Sequence, residues 1–360
     1  MGCNTSRNKS TLAERIMEYE RQSLSYLGSL EKEPATINPE NYEHYISLTG
    51  FYNLIHAGFC GPYLSNPNYL LIVDFRFIEE YLESHVVTAI HHTQVDWYSA
   101  IDESLRSYSS IILYDDDGAS SANLRSFIKR IAKKLSAHQI EAFCLLGGIK
   151  SLSEEFPHLV IHPSSNPIER QLNESEIYAS NSLPQFQEKR ILESKSVSWM
   201  PTIISFPRNF SQYGVGEKSR IFLGSLEQAD NPNVAQHLGI THILSIGRGP
   251  EVRRNQISYL GLDGELNFFQ TLIDACKLIR KLVMKNGQIL IHGMEGLNRS
   301  AAVVIGYLMI SGPFLLDEAY FYLQVQRPFL SIDDESLRCL SEWERYIFGS
   351  EVTDLNMLWK

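Results

Sequence analysis

Short apolar runs that stop at an acidic residue, a glycine or a histidine recur along this chain, and helical segments separate them. "YLLIVDF" (69–75), "SSIILYD" (109–115), "IEAFCLLGG" (140–148), "RIFLGSLEQA" (220–229), "ITHILSIG" (240–247) and "QILIHG" (288–293) are of this kind. Such a run offers no polar face, so it suits a strand covered on both sides, the situation of a parallel sheet. Between the runs, "ANLRSFIKRIAKKL" (122–135), "LNFFQTLIDACKLIRKLVMKNG" (266–287) and "RSAAVVIGYLMI" (299–310) carry apolar residues at helical spacing or throughout. Two more helices are expected in "LDEAYFYLQVQRPF" (316–329) and "DDESLRCLSEWERYIF" (333–348). Strand, helix, strand predicts an α/β chain of parallel sheets covered by helices.

The rhythm occurs twice, so two α/β domains are expected. Residues 41–160 form the first and 216–347 the second. Residues 161–215 between them are rich in Ser, Asn, Pro and Glu and read as a linker, although "VSWMPTIISF" within it is apolar enough to dock on a domain surface. Residues 1–40 are an N-terminal extension, with a mixed-charge helix over 11–33, and residues 348–360 are a C-terminal tail.

A formal charge of -10 disfavours nucleic acid as a partner. Cys3, Cys60, Cys144, Cys276 and Cys339 are scattered and form no C-x-x-C pair, so neither a metal site nor a disulfide framework is expected. No cofactor is implied. Scattered thiols without a secretory signal point to a reducing, cytoplasmic setting. The start "MGCNTSRNKS" fits a myristoylation pattern at Gly2 with a second acyl site at Cys3. Two acyl chains would attach the protein peripherally to a membrane, whereas a chance match would leave an ordinary terminus. Both readings stand.

"HGMEGLNRS" (292–300) lies between a predicted buried strand and a predicted apolar helix. That arrangement binds phosphate, because loop N–H groups and the helix N-terminus present positive potential. Arg299 offers a planar fork for an anion, and Gly296 permits a turn that a side chain would obstruct. The candidate phosphate-binding residues are therefore His292, Gly293, Met294, Glu295, Gly296, Leu297, Asn298, Arg299 and Ser300. Glu295 opposes an anion if it points inward and is neutral if it points outward. The loop is open to a second reading, in which it persists only as a turn the fold needs and Arg299 pairs with a carboxylate.

"HGMEGLNRSAAVVIGYLM" resembles the signature of dual-specificity phosphatases, with Gly293 where that family carries its cysteine nucleophile. The resemblance runs over roughly 216–345. It places Asp263 of "YLGLDGE" at the general-acid position and extends through "VQRPFLSIDDESLRCLSEWE". The family's reaction proceeds through a thiolate and a phosphocysteine, and glycine has no atom to supply. Catalytic residues are therefore expected to be absent. Cys276 is expected in a helix core, away from the loop.

"YLLIVDFRFIEEYLESHVVTAI" (69–90) resembles the rhodanese-like domain, with Asp74, Arg76, Tyr81, His85, Ala89 and Ile90 at its spacings. Asp115 stands at that family's cysteine position, followed by Asp116 and Asp117, which repel an anionic substrate. Asp74, Arg76 and His85 read as structural. The same order of domains occurs in mitogen-activated-protein-kinase phosphatases, but the first domain lacks their basic docking run. The linker "SWMP" and the tail "LSEWERYIFGSEVTDLNMLW" are closer to the serine/threonine/tyrosine-interacting-like pseudophosphatases. That resemblance implies an inactive adaptor or competitor of active phosphatases. Its implied partners are phosphorylated and signalling proteins, other phosphatases, kinases and stress-granule components, and it alone suggests a mitochondrial role. A phosphatase working without cysteine and a scaffold that ignores phosphate are the alternatives.

Overall fold

The computed structural model describes residues 44–358, except 59–60, 67, 96, 98–104, 119–140, 164–189, 191–192, 196, 207–218, 264–266 and 313. Gly2, Cys3, the helices expected over 11–33 and 122–135, and most of the linker lie outside the described residues.

The first sheet contains β1 (Tyr45–Ile46), β2 (Leu70–Asp74), β4 (Ile90–His91), β5 (Ser110–Tyr114) and β6 (Glu141–Leu145), in the order β1-β6-β5-β2-β4. All its pairings are parallel. Leu70 to Asp74 are buried at every position, as the unbroken apolar run predicts. Around the sheet lie α1 (Leu48–Ile55), α2 (Ile78–Glu83) and α3 (Gly148–Glu155), and β3 (His85–Val86) pairs antiparallel with β7 (Val160–Ile161).

The second sheet is built from β8 (Thr202–Ile204), β9 (Arg220–Gly224), β10 (His242–Ile246), β11 (Ser258–Leu262) and β12 (Gln288–His292), in the order β11-β10-β12-β9-β8. It is parallel except for β8, which runs antiparallel to β9. The expected strand over 220–229 ends at Gly224. Ser225 accepts a hydrogen bond from the Gln228 N–H and starts α4 (Leu226–Asp230), because this capping box favours helix once the apolar run has ended. The helices α5 (Pro232–His237), α6 (Phe268–Val283), α7 (Arg299–Ser311), α8 (Leu316–Gln326) and α9 (Asp334–Phe348) follow. α7 is buried from Ser300 to Met309, which explains its lack of a polar stripe. Past the end of α6, Asn286 adopts φ 57° ahead of Gly287, where the sequence placed a stop.

The apolar stretch 197–206 does more than dock. β8 completes the second sheet, while its other side meets the first domain. The Asn53 carboxamide behaves as a neighbouring strand would: its Nδ2 donates to the Ile203 carbonyl and its Oδ1 accepts from the Ile203 N–H, each at 2.9 Å. The Tyr52 hydroxyl donates to the Pro201 carbonyl. One apolar cluster then runs from Phe51, Tyr52 and Phe156 through Met200 and Ile203 to Phe222, Val234 and Leu290, so the two domains share a core.

Candidate functional site

β12 delivers His292 to the carboxyl edge of the second sheet, where open α/β sheets bind ligands. His292 is fully buried. Its Nδ1 lies 3.2 Å from the Gly293 carbonyl, which can only accept, so the proton is on Nδ1. Nε2 then accepts from the Ser245 hydroxyl at 2.8 Å. Burial holds the imidazole below its usual pKa and hence neutral. Both ring nitrogens are occupied, so His292 braces the loop against β10.

The loop itself is defined by where its carbonyls go. Met294 O accepts from the Leu226 N–H, Leu297 O from the Ser331 N–H and Asn298 O from the Ala302 N–H. Glu295 O and Gly296 O both accept from Arg327, which sits buried beneath the loop. In a trans peptide the C=O of one residue and the N–H of the next point in opposite directions. No cis peptide is present among the described residues. The N–H groups of Glu295, Gly296, Leu297, Asn298 and Arg299 therefore face away from the donors that hold the carbonyls. None of these five has a protein acceptor among the described residues. Gly296 adopts φ 74°, and a β-carbon there would collide with the Gly224 carbonyl, so only glycine fits.

Side chains around the loop are arranged unequally. Glu295 and Met294 are exposed, so the Glu295 carboxylate is turned to solvent. Arg299 begins α7 and lies over the Phe268 ring, with Nη2 3.3 Å from Glu335 Oε2. This single contact to a carboxylate 63% exposed is a weak tether. Asn298 and Asp333 exchange hydrogen bonds, joining the end of the loop to the start of α9. Ser300 is buried and its hydroxyl has no hydrogen-bond partner among the described residues. A β-carbon added to Gly293 would lie 3.2 Å from that hydroxyl and 3.8 Å from the Ile246 carbonyl. Asp263 is exposed at the end of β11, where it lines a cavity of about 440 Å³ with Gly247, Arg248, Gly261 and Leu262. Cys276 is buried in α6, and burial pushes its thiol far above the normal range.

The corresponding edge of the first sheet is built differently. After β5, Asp115 O and Asp116 O accept from the Ile149 and Lys150 N–H groups, so loop carbonyls occupy the start of α3. Asp115 Oδ1 accepts from the Gly118 N–H. Buried Arg76 is neutralised by Asp74 at 2.7 Å, with Asp116 at 3.8 Å. His85 Nδ1 lies 2.9 Å from the Tyr81 carbonyl, and its Nε2 lies 3.6 Å from Glu193 of the linker. Asp74, Arg76 and His85 thus knit this edge together.

Arg327, expected within a helix, lies just past the end of α8 and holds the loop from below. It precedes a proline, which marks the end of the helix but carries no signal of where the side chain goes.

Residues 221–346 match the model of the dual specificity phosphatase catalytic domain, and residues 63–155 match that of the rhodanese-like domain. The chain thus carries a rhodanese-like domain followed by a dual-specificity-phosphatase-like domain. It is similar to the protein-tyrosine-phosphatase IBR5 of Arabidopsis thaliana, 33% identical over 135 residues, which are 37% of this chain and 51% of that protein. The chain therefore spans about half the length of that relative. Human dual specificity protein phosphatase 14 is 28% identical over 181 residues, 46% of this chain and 87% of the relative. The crystal structure of the human tyrosine phosphatase-like serine/threonine/tyrosine-interacting protein aligns at 26% identity with a TM-score of 0.33, covering 36% of this chain and 93% of that one.

Proposed function

We propose that the dual-specificity-phosphatase-like domain binds phosphorylated protein partners through residues 292–300 and does not hydrolyse them. The observation that carries the binding reading is the set of loop peptides whose carbonyls are held and whose N–H groups have no protein acceptor among the described residues. Together with the N-terminus of α7 and the Arg299 guanidinium, they supply donors and positive potential to an anion.

The absence of turnover follows from Gly293. Phosphoryl transfer in this superfamily passes through a cysteine, and position 293 has no side chain. Cys276 is sealed in the core, and Cys339 on α9 has its thiol pushed up by burial and by Glu342, Glu335 and Asp333. Asp263 keeps the general-acid position with no nucleophile to serve. In this reading the protein is an adaptor that occupies phosphorylated sites or competes with active phosphatases. Acyl chains on Gly2 and Cys3 would concentrate that adaptor at a membrane surface.

The Arg299–Glu335 contact favours a second reading, in which the loop is a turn and its arginine is structural. Titration of phosphopeptides, inorganic phosphate and vanadate against wild type and Arg299→Ala separates the two. Binding by wild type that Arg299→Ala abolishes supports the adaptor, and equal or absent binding supports the scaffold. Stoichiometric phosphate release by highly purified wild type would refute the inactive assignment.

A further inference from the structure

Arg327 is a buried cation with no carboxylate attached among the described residues. The residue is 6% exposed, and none of the ion pairs among the described residues includes it. Its partners are neutral oxygens: Nε donates to Gly296 O at 3.0 Å, Nη2 to Glu295 O at 3.3 Å, and Nη1 to Leu223 O at 3.3 Å and Thr202 Oγ1 at 2.9 Å. A buried charge balanced only by dipoles is costly, and burial brings the guanidinium pKa down to about 10. Such a charge is compensated when an anion settles on the other side of the same peptides.

We propose that Arg327 is the positioning residue of the anion loop, fixing the peptides 295–296 and 296–297 so that the Gly296 and Leu297 N–H groups face the ligand. This rests on the reading of the loop as a phosphate site. The guanidinium is suited to the task because one planar fork reaches two successive loop carbonyls on one edge and β8 and β9 on the other. Lysine would keep the charge but could not span those acceptors. Thr202 completes the arrangement. It belongs to β8, the strand that Asn53 of the first domain holds at Ile203.

Isothermal titration of the full chain with vanadate, and separately with inorganic phosphate, tests the assignment on Arg327→Lys, Thr202→Val, Thr202→Ser and Arg299→Ala, with thermal unfolding measured in the absence of anion. Affinity is expected to fall about tenfold in Arg327→Lys and about threefold in Thr202→Val, and to recover in Thr202→Ser, which restores the hydroxyl. A residue that only supported the fold would shift unfolding and leave affinity per folded molecule unchanged. Should Arg327→Lys not fold, the Thr202 pair decides. Wild-type binding that matches that of folded Arg327→Lys, or of Thr202→Val, overturns the positioning role while leaving the phosphate reading intact. Wild type that binds neither anion overturns both.

Discussion

The Ser300 hydroxyl lies 3.2 Å from the point that a β-carbon on Gly293 would occupy, and it is buried with no hydrogen-bond partner among the described residues. A buried hydroxyl left unpaired costs about 1–3 kcal/mol. A β-carbon at position 293 would meet this hydroxyl first, and a few tenths of an ångström of movement there would accommodate it.

Gly293→Cys should accordingly fold and gain hydrolysis. The new thiol would lie against the Ser300 hydroxyl at the start of α7, where the helix dipole favours a thiolate. Release of product from a small aryl phosphate and a phosphopeptide should rise roughly 10³-fold or more above wild type. A folded Gly293→Cys protein that binds vanadate but remains inert would show that a thiol at position 293 is not sufficient for turnover.

Glu335→Gln removes the charge that competes for Arg299. Exposed pairs of this kind are worth about 0.2–1 kcal/mol, so anion affinity should rise up to about fivefold. Unfolding should be nearly unchanged. An unaltered dissociation constant for phosphate in Glu335→Gln would mean that Arg299 does not contact the anion.

Asn53→Leu deletes both hydrogen bonds to Ile203 and leaves the β8 backbone unpaired on that side. A loss of about 2–4 kcal/mol is expected. Because the apolar cluster is continuous between the domains, wild type should unfold in one step by urea with tryptophan fluorescence and far-ultraviolet circular dichroism coinciding. Separate transitions in wild type would contradict the shared core.

Stability should fall in mild acid through His56 and His158. These rings lie 6.0 Å apart near the domain contact, and His158 stacks on His237 of α5 at 4.9 Å. Burial, and for His56 also the neighbouring His158, lowers the pKa of His56 to about 3; burial and His237 lower that of His158 to about 4. The unfolded chain takes up these protons near pH 6.5, whereas the fold excludes them. The penalty thus begins as pH drops below about 6.5 and grows until the folded pKa values are reached. Melting temperatures recorded between pH 7 and 4 should show a shallower decline for His56→Phe than for wild type. Parallel curves would remove His56 as a cause.

Several features were legible from local pattern. The strands over 70–74, 110–114 and 288–292 were visible because a strand buried on both faces must be apolar throughout. Ser225 is masked as a helix start because the apolar stretch before it blurs into the helix, although Gln228 completes the capping signal. The pairing of β8 is not legible in the sequence, because nothing within ten residues tells a docked strand from a paired one.

The amino-acid sequence alone determined that position 293 carries no nucleophile and that a strand, a glycine-bearing turn and a buried helix follow one another there. Those are properties of neighbours along the chain. Only the tertiary structure decided that Arg299 meets Glu335, that the Ser300 hydroxyl faces Gly293, that Arg327 holds the loop, and that Asn53 of one domain pairs with the edge strand of the other. Side chains separated by 31 to 150 positions are brought together by the packing of sheets and helices, and no local spacing encodes which carbonyl a distant guanidinium will find.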